Sequence, residues 1–107
     1  MVKKYVIYKI YNIEKPENYY IGSTNNFSSR KSHHKKNVNN RRHKKYWSML
    51  YWVIRDDGGW DKYNMEIVET LETMDKTEVR KKEQEYIDNL NPPLNSICSY
   101  IEKRKIN

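Results

Sequence analysis

A chain of 107 residues is short enough to expect one domain over 1–107, with a core over about 4–97 and a loose tail at 102–107. A net charge of +7 with no long apolar run excludes a membrane-spanning segment, and the lone Cys98 excludes an internal disulfide or a cysteine-built zinc site. Ten tyrosines and three tryptophans supply large buried surfaces that the modest apolar content would otherwise lack.

The chain opens on Met1-Val2-Lys3-Lys4, which leads into a strand pattern rather than a signal peptide. Over about 4–11 the chain is β-rich and roughly alternating, with Val6, Tyr8 and Ile10 on one face of a strand and Tyr5, Ile7 and Tyr11 on the other. A polar stretch holding Pro16 follows, and Tyr19-Tyr20-Ile21 then closes a second strand (about 18–23) at Gly22. The short connection predicts an antiparallel hairpin.

Ser23-Thr24-Asn25-Asn26 is a run of helix-capping residues. Beyond it Phe27, Lys31, His34 and Val38 fall on one stripe of an unusually polar helix, which Asn37 to Asn40 is expected to break. A second, more apolar helix is predicted over about 43–55. Its main ridge is Tyr46, Met49, Leu50 and Val53, broadened by Trp47, Tyr51 and Ile54. Asp56-Asp57-Gly58-Gly59 stops it. Tyr63, Met65 and Ile67 alternate in a third strand over about 62–70. Asp75 and Glu78 are spaced as a capping box for a last helix that Asn91-Pro92-Pro93 ends. The order β-β-α-α-β-α predicts a small α/β fold with a three-stranded, mainly antiparallel sheet flanked by helices.

Charge is unevenly spread. From Asn18 to Arg55 there is no Asp or Glu, while nine Lys and Arg residues stand there, so the rest of the chain sums to −2. Such a window attracts polyanions, although a solvated basic face has the same composition. Lys31, Lys35, Lys36, Arg41, Arg42, His43, Lys44 and Lys45 are its candidate nucleic-acid contacts. The expected setting is soluble and intracellular: cytoplasm, or a host cell's cytoplasm or nucleus. Alanine is absent while Lys, Asn, Tyr and Ile abound, which points to an AT-rich viral or bacterial genome.

Three groups could carry chemistry. Val79, Glu83, Tyr86, Ile87 and Leu90 share the inward stripe of the last helix, where a carboxylate needs compensation by a divalent cation or by a Lys or Arg, unless Glu83 stands at the stripe's edge. Arg30 and His34, four apart on the polar helix, could meet one phosphate or simply be solvated. Tyr8 and Tyr20 lie on adjacent strands, as core or as site residues. No Walker-type loop, Ser-His-Asp spacing or His-Glu-x-x-His occurs.

Together these residues resemble the GIY-YIG nuclease family. Val6-Ile7-Tyr8 stands at the GIY triplet, with Val6 replacing its glycine, and Tyr20-Ile21-Gly22 is the YIG triplet intact. Ser23-Thr24, Arg30, His34, Glu83 ahead of Tyr86-Ile87, and Asn95 follow at the family's spacing. The segments Asp57 to Trp60 and Met65 to Glu69 look like members from large DNA viruses.

The resemblance implies an endonuclease that hydrolyses DNA phosphodiesters to 5′-phosphate and 3′-hydroxyl ends. Tyr8 would position or activate the water, Arg30 would neutralise phosphoryl charge, and Glu83 would hold one Mg²⁺ or Mn²⁺. Tyr20 and His34 would orient groups or relay protons, and Asn95 would brace the site. Glu85 is a rival ligand that the helical stripe disfavours. The implied partner is DNA, with RNA open, no membrane, and a monomer or transient dimer. The alternatives are a non-catalytic nucleic-acid-binding module on the same fold and a basic domain for an acidic protein partner.

Overall fold

The computed structural model describes residues 2–40, 42 and 49–96. The tail at 102–107, Cys98 and the expected start of the second helix, with Tyr46 and Trp47, lie outside these residues. The element order is β1 (Lys3–Asn12), β2 (Tyr19–Thr24), α1 (Phe27–Asn39), α2 (Met49–Asp56), β3 (Tyr63–Thr73) and α3 (Lys76–Leu90). Short 3₁₀ turns at Trp60–Lys62 and Pro93–Ser96 precede β3 and follow α3. Among the described residues the predicted α/β class, three-stranded sheet and three helices hold.

The sheet runs β2-β1-β3 and both pairings are antiparallel, so β1 is central. A strand covered on both sides needs apolar residues on both faces, and β1 has them. Tyr8 and Ile10 join Val38 of α1, Tyr51 and Ile54 of α2, and Tyr63 and Met65 of β3 in one core. Tyr5 and Ile7 join Ile21 of β2 and Val79 of α3 in the other. The result is three layers, with α1 and α2 on one face and α3 on the opposite one.

The β1–β3 register shifts between Ile7 and Tyr8: Ile7 pairs with Glu69, Tyr8 with Ile67, and Val68 is the extra residue. A bulge re-aims the side chains beyond it, and this one sits beside Tyr8. The register is regular from Tyr63 to Ile67, so these alternate residues share a face, but burial fades along it. Tyr63 and Met65 are buried, but Ile67 is 49% exposed.

The helices depart from their predicted faces in definite ways. Asn26 caps α1 by accepting from Ser29 N at 3.0 Å. The helix ends at Asn39 with Asn40 as its cap, inside the expected break; Asn37 and Val38 turn inward in its last turn, whereas Lys31 leaves the stripe and is exposed. In α2 the most buried residues are Tyr51 and Ile54, while Leu50 and Val53 are half-buried at the margin. Gly58 and Gly59 adopt positive φ, and Gly59 N donates to Ile54 O at 2.8 Å, which closes the helix as expected.

The start of α3 is capped differently from a capping box. Asp75 accepts from Thr77 N at 2.8 Å, but the Glu78 carboxylate takes the Thr73 hydroxyl at 2.9 Å instead of the Asp75 N–H. Thr73 Oγ1 accepts that N–H at 3.1 Å. Along the stripe only Val79 is buried. Glu83, Tyr86 and Ile87 are half-buried and Leu90 is 49% exposed. The roll of α3 on the sheet is held by Tyr86 Oη, which donates to Glu69 of β3 at 2.6 Å.

Candidate active site

Tyr8 and Tyr20 meet at the β1–β2 pairing. Tyr8 is directly opposite Gly22, and its ring lies 6.4 Å from that of Tyr20. A β-carbon on Gly22 would stand 2.6 Å from Tyr8 Cζ and Oη and 3.0 Å from Tyr20 Cε1. Only a residue without a side chain lets both phenols lie over this strand.

Tyr8 Oη is 2.9 Å from His34 Nε2, and His34 Nδ1 is 2.7 Å from Tyr51 Oη. Asn37 Nδ2 donates to the same Tyr51 oxygen at 3.2 Å, and the Trp60 ring stacks on His34 at 6.3 Å and 17°. β1, α1, α2 and the turn before β3 therefore combine to fix one imidazole. His34 is 5% exposed, whereas Arg30, four residues before it, is exposed. His34 serves Tyr8.

Burial pushes the Tyr8 phenol far above its ordinary range; Tyr20 adds to this, Arg30 opposes it, and Tyr51 and Glu83 reinforce it. Tyr20 is raised likewise, by burial first, then by Glu83 and Tyr51, with Arg30 again opposing. One cation and one carboxylate thus act on both phenols. Among the described residues neither Arg30 nor Glu83 forms an ion pair or a side-chain hydrogen bond.

Glu83 is half-buried rather than buried, so the burial cost read from its stripe is smaller than expected. Its carboxylate is the group here suited to a hard cation. Among the described residues no group of three His, Cys, Asp or Glu could hold a metal. A single open carboxylate fits an ion that keeps most of its waters, as Mg²⁺ does. Glu85 is exposed and paired with Lys82 at 3.6 Å.

Asn95, in the turn after α3, clamps the outer edge of β2. Its Oδ1 accepts from Ile21 N at 2.7 Å and its Nδ2 donates to Ile21 O at 2.9 Å. The amide thus satisfies an edge residue as a neighbouring strand would, and it fixes the segment that carries Tyr20 and Gly22.

Of the basic candidates, Lys31, Lys35 and Lys36 are exposed on α1, and Arg42 is exposed just beyond it. Arg41, His43, Lys44 and Lys45 lie outside the described residues. Among the described residues no helix is long and apolar enough to cross a membrane.

The profile of the GIY-YIG catalytic domain matches residues 4–96, most of the chain. The chain belongs to the GIY-YIG family. No curated protein and no solved structure matches it. GIY-YIG catalytic domains are nuclease domains and act on DNA, and the two triplets that name the family here form paired strands, β1 and β2. In this GIY-YIG domain Tyr51, Asn37 and Trp60 surround His34, although sequence reasoning gave Tyr51 to a helix ridge, Asn37 to a helix break and Trp60 no role of its own. A tyrosine on an amphipathic helix has no mark that distinguishes a hydroxyl aimed at a histidine from one aimed at water.

Proposed function

We propose that this GIY-YIG domain is a metal-dependent endonuclease that hydrolyses DNA phosphodiesters, leaving 5′-phosphate and 3′-hydroxyl ends. One observation carries the reading: Arg30 and Glu83 both act on Tyr8 and Tyr20, yet they do not neutralise each other. A module that only binds phosphate gains nothing from an open carboxylate beside its arginine. A phosphoryl-transfer site uses both charges.

The raised Tyr8 phenol is a poor source of phenolate, and the His34 contact removes the need for one. As a water oxygen bonds to phosphorus, its proton passes to Tyr8 Oη while the Tyr8 proton passes to His34 Nε2. His34 Nδ1–H then donates to Tyr51 Oη. The bond to the 3′-oxygen breaks, and that oxygen takes a proton from solvent. Arg30 offsets the charge growing on the phosphoryl oxygens. Glu83 would hold one Mg²⁺ or Mn²⁺, and such an ion supplies electrostatic stabilisation of the phosphate and the leaving oxygen. Tyr20 orients the phosphate and Asn95 holds β2 in place. An intracellular setting and a viral source belong to the same reading and rest on the composition and on the segments 57–60 and 65–69.

Supercoiled plasmid incubated with the protein tests this. Nicking with Mg²⁺ or Mn²⁺ but not with chelator is expected from the parent and not from Glu83→Gln. DNA ligase alone should reseal the nicks, because it requires a 5′-phosphate and a 3′-hydroxyl. Glu85→Gln should cut as the parent does. Plasmid bound but never cut would leave the non-catalytic binding module, and cutting by Glu83→Gln at the parental rate would remove Glu83 as the ligand.

A further inference from the structure

A second basic site draws two of its cations from α3, which the acid-free window does not include. Between the β2–α1 turn and the start of α3 is an open pocket of about 260 Å³, lined by Tyr5, Ser23, Thr24, Asn25, Arg30, Lys76, Val79 and Arg80. Three of these residues are cations and none is a carboxylate.

Two acids at the start of α3 are engaged elsewhere. Asp75 caps Thr77 N and Glu78 holds the Thr73 hydroxyl. Lys76 and Arg80 are exposed, and among the described residues neither forms an ion pair or a side-chain hydrogen bond. Three like charges around one concavity repel each other, and an anion between them relieves that repulsion. Ser23 and Asn25 add neutral donors at the rim.

Helical geometry relates this pocket to the proposed catalytic carboxylate. Lys76, Arg80 and Glu83 stand at i, i+4 and i+7, which places them along one ridge of α3. At about 1.5 Å per residue, Arg80 is about 4.5 Å and Lys76 about 10.5 Å along the axis from Glu83. A nucleic-acid strand advances about 3.4 Å per nucleotide, so this ridge spans the neighbouring nucleotides of one strand. Arg30 lines the pocket and also acts on Tyr8, and so joins the two places.

We propose that Lys76 and Arg80, with the Ser23–Asn25 turn, form a phosphate subsite that holds the nucleic-acid backbone next to the phosphate being cut. The subsite rests on the nuclease reading for which phosphate is cut. Its role is to set the strand's direction and register across Tyr8 and Glu83. Phosphate contacts of this kind position a strand without reading its sequence.

The test compares Lys76→Ala/Arg80→Ala with Lys3→Ala/Lys81→Ala, which loses the same charge from exposed positions outside the pocket. Binding of a fluorescent DNA oligonucleotide is titrated without metal from ~50 to ~200 mM salt, and plasmid nicking is measured with Mn²⁺. The pocket variant should bind at least about tenfold more weakly, with a log–log salt slope shallower by roughly 1–2. Its nicking rate at saturating protein should fall as well, because a strand out of register presents its phosphate poorly to Tyr8 and Glu83. The control should shift binding less than about twofold. Equal shifts in the two variants, or a parental salt slope in the pocket variant, would overturn the subsite and leave the nuclease reading intact. Failure of the parent to nick DNA would count against the nuclease reading alone, because the binding titration needs no cleavage.

Discussion

Gly22 lies across the β1–β2 ladder from Tyr8, so close that a β-carbon there would stand 2.6 Å from the phenol oxygen. Tyr8 is buried and bonded to His34, so it has no free space to yield. Gly22→Ala should destabilise the domain by about 1–3 kcal/mol through overpacking. It should also cut plasmid nicking severely, because the displaced phenol leaves His34. Thermal unfolding and nicking measured together check this, and a variant with parental activity would refute the placement of Tyr8.

Tyr51→Phe removes the one oxygen shared by His34 Nδ1 and Asn37 Nδ2. Leaving buried polar groups without that partner should cost about 1–3 kcal/mol. If Tyr51 also positions the imidazole, kcat should fall while KM is held, and the pH–rate profile should shift. Loss of stability with an unchanged profile would mean that Tyr51 is only structural.

Arg30→Ala should reduce the cleavage rate by ~10²–10³ while weakening DNA affinity only slightly. A donor aimed at the transition state is worth that much in rate, whereas one contact among many contributes little to binding. Kinetics at saturating protein beside a binding titration separate the two. Equal losses in rate and affinity would make Arg30 part of the general basic face.

Tyr8, Tyr20 and Tyr63 should make the fold sensitive to alkali. Burial is the leading cause of the upward shift in each, and for Tyr63 the hydrogen bond to Asp57 adds to it. In the unfolded chain a tyrosine ionises near pH ~10, below its folded value. Its stabilising contribution is therefore complete below pH ~10 and is lost as the pH rises towards the folded value. Urea unfolding should show stability falling between pH ~9.5 and ~11.5, and Tyr8→Phe should fall less steeply. Identical slopes would contradict the burial of this phenol.

Reversing Lys35, Lys36 and Arg42 to Glu, all exposed, should weaken DNA binding and flatten its salt dependence. The parent should lose roughly a thousandfold or more in affinity between ~50 and ~200 mM salt. A flat titration of the parent would rule out these residues as the binding surface.

Local patterns alone determined the strands, the helix ends and the set of motif residues. Alternation through Tyr5 to Tyr11, the cap at Asn26, the glycine stop after α2 and the prolines after α3 all act over a few residues, so their physics is written in neighbouring side chains. What those residues touch was decided by packing across layers. The pairing of Tyr8 with Gly22 needed the hairpin register. The His34–Tyr51 contact needed α1 and α2 to meet, and it holds the imidazole that reaches Tyr8. The bulge at Val68, beside the Tyr8 pairing, left no mark in the sequence. Lys76 and Arg80 were invisible as a site because α3 has mixed charge along its length, and averaging along the chain cancels what the fold separates. Charge and burial act through space over several ångströms, and only the tertiary structure shows which distant residues share that space.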